Sequence, residues 1–300
     1  SKVDYLMSSI TGIDGLLPTF KSIKFTKKIA IANKESIICG WNILDKQLKK
    51  NKTSFVPVDS EHFSIWSAIN DKSKESIDSI CITASGGPFY NLKLSKFNKI
   101  RVEDAINHPN WKMGKKISVD SSTMMNKVFE IIEARNIFQL NLNQLRILVH
   151  KNSYLHAIIN YKNNISNLIV HPTSMEIPIF GTLYNEKKII SGSNKLYISK
   201  LNNLQLEEPD KKKFPLINLI KFLPKKYSLF ETVIVSLNDT LVELFLDNKI
   251  SYLSIQKIFF QLVKNKDLIK YKKKQPKTIE EILKLNKYVQ TIVKSRYIRY

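Results

Sequence analysis

Short apolar runs that hand over at once to helical spacing organise the front of the chain, and that alternation restricts the fold more than any other feature. Tyr5-Leu6-Met7 is followed by Leu16, Leu17, Phe20 and Ile23 at helical intervals. Lys28-Ile29-Ala30-Ile31-Ala32 reads as a buried strand and leads to a helical pattern from Ile37 to Leu48. Phe55-Val56-Pro57-Val58 leads to another from about Glu61 to Ile69, and Ile80-Cys81-Ile82-Thr83 forms a further strand ending in Ala84-Ser85-Gly86-Gly87-Pro88. Strand and helix in alternation build a parallel sheet. In such sheets ligands gather outside the carboxyl ends of the strands, so the polar residues after Val58 and Thr83 become candidates for function.

The pattern changes after Leu145. Leu145 to Val149, Leu155 to Tyr161 and Ile165 to Val170 read as consecutive strands, with Lys162-Asn163-Asn164 as a hairpin turn, which predicts an antiparallel or mixed sheet. From about residue 185 the chain is rich in Asn, Lys and Pro, a connecting stretch. Phe214 to Tyr300 carries helical periodicity (Leu241, Leu244, Phe245; Ile279, Ile282, Leu283, Leu285) and predicts a small helical domain. The expected class is therefore α/β, with a parallel-sheet portion, a mixed α/β portion and a C-terminal helical portion. No internal repeat is visible.

Basic residues number 48 against 26 acidic ones, a net charge of +22, which raises the possibility of a nucleic-acid or anionic-surface binder. Only five of the basic residues are arginines, the side chain that reads base edges and clamps phosphates bidentately. Lysines spread along the whole length describe a compositional bias better than a binding patch, and we expect no nucleic-acid partner. Cys39 and Cys81 have no paired spacing for a disulfide framework or a zinc site, which fits a reducing compartment. No run approaches the ~18 apolar residues of a membrane span, so no membrane partner is expected. The start at Ser1 has neither an initiator Met nor a signal-peptide layout, and the expectation is a chain cut from something longer.

Three segments carry the chemistry. In Pro57-Val58-Asp59-Ser60-Glu61-His62, two carboxylates stand two residues apart where a strand passes into a helix. Such oxygen ligands suit a hard divalent cation, although an Asp at a helix start is also an ordinary cap. In Thr83-Ala84-Ser85-Gly86-Gly87-Pro88, a strand ends in two of only eight glycines, which lets backbone N–H groups approach an anion or simply makes a tight turn. The third segment runs from His108 to Glu130. Ser121, Ser122 and Thr123 offer N-cap chemistry for a following helix on which Met125, Val128, Phe129 and Ile132 form one apolar stripe. Asn126, Lys127 and Glu130 project together beside that stripe, either as a phosphate-binding constellation or as a solvated i,i+3 ion pair. Upstream, His108 and Trp111 lie in a Gly- and Lys-rich stretch suited to a lid.

Ala32-Asn33-Lys34-Glu35-Ser36, Val58 to His62, Ala84 to Phe89 and the long His108 to Glu130 stretch resemble the 1-deoxy-D-xylulose 5-phosphate reductoisomerase family, in its order and with compatible spacing. Ile10 to Thr19 and Asn238-Asp239 fit as well, so the resemblance spans essentially the whole chain. It implies Asp59, Glu61 and Glu130 as ligands of Mg²⁺ or Mn²⁺. It implies Lys34, Ser60, Glu61, Ser85, His108, Ser121, Asn126, Lys127 and Glu130 as substrate contacts, with Ser85, Ser121, Asn126 and Lys127 towards the phosphate. Trp111 and Met113 match the loop that closes over the substrate, and Asn33, Glu35 and Gly114 match contacts to NADPH. Lys34, Glu61, Trp111 and Glu130 are the implied catalytic residues. The implied enzyme is a bacterial cytoplasmic homodimer that rearranges and reduces a sugar phosphate to 2-C-methyl-D-erythritol 4-phosphate in isoprenoid precursor synthesis. Its implied organisation is the C-terminal part of a Rossmann-like NADPH-binding domain over 1–58, a catalytic and dimerisation domain over 59–184, a linker over 185–213 and a helical domain over 214–300.

Some positions depart from the family pattern. No three of the eight glycines make the G-x-G-x-x-G spacing of a dinucleotide turn, and about the first quarter of the family's chain has no counterpart here. We therefore expect residues 1–300 alone to be inactive as a reductase. Lys151 follows His150 where the family has proline, and Ser174 and Glu176 flank Met175 where it carries Asp and Arg. These differences leave a decayed, non-catalytic homologue as a further alternative.

Overall fold

The structure, a computed structural model, describes residues 1–69, 74–184 and 197–297. Two sheets carry the fold. The first has strands β1 (Val3–Ser8), β2 (Thr26–Ile31) and β3 (Ser54–Pro57) in that order, all parallel, with Tyr5 paired to Lys28 and Lys28 to Ser54. Its crossovers are helices α1 (Leu16–Ile23) and α2 (Lys34–Asn51). Ile29, Ala30 and Ile31 are all buried, as the middle strand of a sheet covered on both faces requires. Helix α2 begins at Lys34, ahead of the predicted Ile37, because Asn33 caps it: its side-chain oxygen accepts from the Ser36 N–H at 2.6 Å.

The second sheet has the order β5-β4-β6-β7, with β4 (Ile77–Ala84) parallel to β5 (Leu145–Val149) and antiparallel to β6 (Leu155–Tyr161), which pairs antiparallel with β7 (Ser166–Val170). The mixed sheet expected from the sequence is thus present. Helix α3 (Ser60–Ile69) joins the two sheets. Between β4 and β5 the chain forms α4 (Val102–Ile106), α5 (Lys115–Ser122) and α6 (Met125–Phe138). After β7 come α7 (Glu176–Leu183) and the short α8 (Ile198–Asn202), and then α9 (Phe230–Leu246), α10 (Tyr252–Val263), α11 (Lys266–Ile269) and α12 (Ile279–Tyr297). Residues 185–196 of the expected linker lie outside the described residues. Further along it, Glu207 exchanges two backbone hydrogen bonds with Val149 at the edge of β5.

Helix α6 is the axis of the molecule. The sequence predicts an apolar stripe with a polar flank, but nearly every residue of α6 is buried, Glu130, Glu133 and Arg135 included. It is wrapped by α2, α3, α5 and the second sheet, so its polar residues face other polar residues inside the protein. Its end is tied to the helical region: Arg135 Nη2 lies 2.6 Å from the Glu231 carboxylate on α9, and Asn136 donates to the Ile37 carbonyl of α2 at 3.0 Å. Among the described residues, no helix is long and apolar enough to cross a membrane.

Candidate active site

Asp59 follows β3, and of the two roles that the sequence left open, cap and cation ligand, its contacts display the first. One carboxylate oxygen accepts from the Glu61 N–H at 3.2 Å and so opens α3. The same oxygen receives His62 Nδ1 at 2.9 Å, and the other is paired with the Lys34 ammonium from the start of α2. Glu61 stands two residues on, in the first turn of α3, where Lys127 of α6 meets it at 2.6 Å and meets Glu130 at 2.5 Å. This ion pair of Lys127 and Glu130 is buried, not the solvated surface pair that the spacing alone allowed.

Single oxygens of Asp59, Glu61 and Glu130 all lie within 4.8 Å of one another, close enough to ligate one ion. Burial, with the neighbouring Glu61 carboxylate, pushes Glu130 up to about 8. Burial opposes ionisation of Asp59 as well, but the Lys34 ammonium and His62 outweigh it and hold Asp59 well below the usual carboxylate range. Burial likewise works against the charge of Lys127, and the Glu130 and Glu61 carboxylates overcome it to raise its pKa. Crowded carboxylates, one of them resisting ionisation, fit a hard divalent cation that would take the place of the proton.

Asp59, His62 and Glu133 form a second carboxylate-rich group of the same span, but its chemistry is different. His62 is fully buried, with Nδ1 against a carboxylate oxygen of Asp59 and Nε2 against the Glu130 carbonyl, both at 2.9 Å. Both partners are acceptors, so both ring nitrogens donate and neither has a lone pair for a metal. Lys34, 3.3 Å from Glu133, already supplies this group with a second cation.

Beside the carboxylates opens a cavity of about 530 Å³. Its walls include Lys34, Asp59, Ser60, Glu61, Ser85, His108, Trp111, Met113, Ser121, Asn126, Lys127 and Glu130, so the metal, substrate and loop candidates of the sequence meet in one place. Ser85, at the end of β4, is 2.9 Å from His108 Nε2. Burial, and then Lys127, lower His108 to about 4, which leaves a neutral ring at the cavity edge. Gly87 has a φ of +69°, and a Cβ there would lie 2.8 Å from the Ser121 carbonyl; this glycine is what brings the β4 turn against the end of α5.

One local expectation is corrected. Ser121 and Ser122 end α5 and do not cap α6, whose N-cap is Met124 in a left-handed conformation with φ 63°. Thr123 alone keeps a capping-type contact, its hydroxyl accepting from the Met125 N–H at 3.4 Å. The sharp turn at Met124 places Ser121 before it and Asn126 and Lys127 after it on the same cavity wall.

Asn33, Glu35 and Gly114 line an adjoining cavity of about 500 Å³ that shares Lys34, Gly114 and Asn126 with the first. Here the side chain of Asn33 is engaged by the protein, donating to the Ile10 carbonyl and, at 2.8 Å, to that of Gly12. Glu35 is held 2.8 Å from Lys116, which also meets Asp120 at 3.0 Å and Asp239 at 2.9 Å.

Several residues found here had no role assigned from the sequence. His62 and Glu133 stand three positions from Asp59 and Glu130, so helical spacing could have found them. Ser9 and Thr11 follow β1 at the end where ligands gather. Ser153, His156 and Met175 reach the cavity through the second sheet, and no local signal marks them.

Fold and cavity define a class: an α/β protein whose strand ends carry carboxylates fit for a hard divalent cation beside hydroxyl, amide and ammonium groups suited to an anion. Comparison with known proteins narrows it. Residues 1–40 match the profile of 1-deoxy-D-xylulose 5-phosphate reductoisomerase, 55–138 its C-terminal domain, and 171–292 the DXP reductoisomerase C-terminal domain. The 1-deoxy-D-xylulose 5-phosphate reductoisomerase of Pelagibacter ubique is 55% identical over 296 residues, 98% of this chain and 76% of that protein. That of Clostridium tetani is 35% identical over 296 residues, 99% of this chain and 76% of its own. A crystal structure of DOX-P reductoisomerase with NADPH, fosmidomycin and magnesium superposes with a TM-score of 0.91 at 30% identity, covering 98% of this chain and 76% of that one. The Zymomonas mobilis enzyme in complex with NADPH gives 0.85 at 30% identity, covering 99% and 76%. The chain belongs to the 1-deoxy-D-xylulose 5-phosphate reductoisomerase family.

Proposed function

We propose that this chain holds the divalent cation and the sugar phosphate of an NADPH-dependent reductoisomerase that converts 1-deoxy-D-xylulose 5-phosphate to 2-C-methyl-D-erythritol 4-phosphate. The observation that carries the reading is the meeting of Asp59, Glu61 and Glu130 in the same cavity as Ser85, Ser121, Asn126 and Lys127. A structural relative that contains NADPH and magnesium supports the same pair of cofactors. When bound, Mg²⁺ or Mn²⁺ would polarise the hydroxyketone and NADPH would supply hydride.

The remaining work belongs to the side chains. Asp59, Glu61 and Glu130 present carboxylate oxygens to the cation. Lys34 pairs with Asp59 and sits 3.8 Å from Glu130, so it both fixes these carboxylates and offers an ammonium to substrate oxygens. Lys127 becomes available to the anionic end of the substrate once Glu61 and Glu130 ligate a cation. Ser85, Ser121 and Asn126 donate to the phosphate, and Ser60 and His108 to the sugar, which aligns the reacting carbons. Trp111 and Met113 close over the cavity and exclude water. Asn33, Glu35 and Gly114 shape the adjoining cavity that receives the nicotinamide side of the cofactor.

The same reading divides the chain into a cofactor-domain part over 1–58, a catalytic part over 59–184, a connection over 185–213 and a helical part over 214–300. It also makes the protein a homodimer. Among the described residues β7 is an edge strand, and Leu168 on it and Ile165 just before it expose apolar surface that a second copy can cover. The substrate-binding part is tested by calorimetric titration of 1-deoxy-D-xylulose 5-phosphate with and without Mn²⁺. We expect one binding event that requires the metal; the same affinity without it, or no binding at all, overturns the proposal.

A further inference from the structure

Beyond the contact of His108 with Ser85, the loop over residues 107–114 rests on the second sheet and its β5–β6 turn through Asn110 and Trp111. Asn110 donates its side-chain N–H groups to the Lys151 carbonyl at 2.6 Å and to the Ser153 hydroxyl at 2.8 Å. Trp111 sets its ring against His156 with centroids 6.4 Å apart and planes at 73°. The Trp111 backbone N–H is held separately, donating to His108 Nδ1 at 3.0 Å, so the imidazole under it bears on the orientation of the ring.

That imidazole is held by another. His171, just past β7, lies parallel to His156 with ring centroids 3.6 Å apart and planes 11° apart. His171 is tethered at both nitrogens, Nδ1 2.8 Å from the Pro172 carbonyl and Nε2 3.2 Å from the Ser64 hydroxyl on α3. The Ser64 hydroxyl also lies 2.7 Å from the Ser60 carbonyl within the first turn of that helix; with Nδ1 donating to Pro172, a neutral His171 ring accepts at Nε2 from the one proton that Ser64 shares between these two acceptors. His156 Nε2 faces the His171 carbonyl at 3.2 Å and must donate there, which fixes its tautomer and prevents a ring flip. Burial keeps both rings below the ordinary histidine pKa, so the stack is one of neutral imidazoles without like-charge repulsion.

We infer that His171 is a positioning residue for the loop: it clamps the His156 ring in the orientation on which Trp111 docks, and so couples the cover of the cavity to α3, the helix that carries Glu61. The coupling to substrate rests on the proposed function; the ring stack does not.

The test uses the full chain with Trp41 and Trp66 replaced by Phe, so that Trp111 alone emits. His171→Gln keeps a polar end for Ser64 but removes the ring, whereas His171→Phe keeps the ring and removes the tethers. We expect acrylamide to quench Trp111 more readily in His171→Gln than in the parent, and His171→Phe to restore protection. Equal quenching in parent and His171→Gln, or no rescue by Phe, overturns the inference. Should His171→Gln not fold, His171→Leu takes its place with the same two outcomes. In parallel, the affinity for 1-deoxy-D-xylulose 5-phosphate with Mn²⁺ should fall about tenfold in His171→Gln if the docked loop drops to a tenth of the population, and recover in His171→Phe. Absence of substrate binding in the parent would overturn the proposed function while leaving the quenching result to decide the ring clamp.

Discussion

The Lys127 ammonium lies 2.6 Å from the Glu61 carboxylate, a contact that closes 66 positions of sequence and ties α6 to α3. Lys127 therefore acts as the counter-charge of two candidate metal ligands at once. Removing it as Lys127→Met leaves buried carboxylates unpaired, which costs about 3 kcal/mol of stability in cation-free protein. Because the cation no longer competes with the ammonium, Mn²⁺ should then raise the melting temperature of the variant more than that of the parent. Thermal melts with and without Mn²⁺ measure both effects, and equal shifts would contradict this role.

The Arg135–Glu231 pair joins α6 to the helical region. Glu231 also accepts from the Ser228 hydroxyl at 2.7 Å, and Arg135 donates to the Pro224 carbonyl at 3.2 Å. Glu231→Leu strands a buried guanidinium and should cost about 3–5 kcal/mol in urea unfolding. The double variant Arg135→Met/Glu231→Leu should lose less than the single one. A double variant that loses as much or more would mean that the apolar pair packs poorly and that charge pairing is not the main issue.

Acid should weaken the fold through His156. Burial, then the neighbouring His171, lower it from an ordinary 6.5 to about 4. Between those values the unfolded chain takes up a proton that the folded chain does not. Stability is thus fully present above pH 6.5 and is lost as the pH falls towards 4, by about 3 kcal/mol for the whole shift. His156→Gln should flatten this part of the stability curve. Parallel melting curves for parent and variant between pH 7 and 4 would show that another group governs the loss.

The strand–helix alternation of the front of the chain, the mixed second sheet and the C-terminal helices were readable because each follows from a local period of apolar residues. The candidate site was legible as a group, since Asp59, Glu61, Ser85 and the His108 to Glu130 stretch stand in a motif, and the structure brings residues of all three segments to one cavity. What the sequence concealed is tertiary. Met124 in a left-handed turn looks like any methionine in a helical run, so Ser121 and Ser122 read as caps when they end the preceding helix. The polar residues of α6 read as a solvated flank because nothing local reveals that α2, α3 and α5 surround it. The stack of His156 on His171 joins residues that are neighbours only through the pairing of β6 with β7.

The proposed cation site is formed by Asp59, Glu61 and Glu130, and not by the group around His62 and Glu133. Titration of Mn²⁺ into the protein, followed by the loss of the free-ion electron paramagnetic resonance signal, tests it directly. The parent should bind one ion, Asp59→Asn and Glu130→Gln should each weaken binding by about 100-fold, and Glu133→Gln should leave it within a few-fold. Binding that survives Glu130→Gln but disappears in Glu133→Gln would contradict the account.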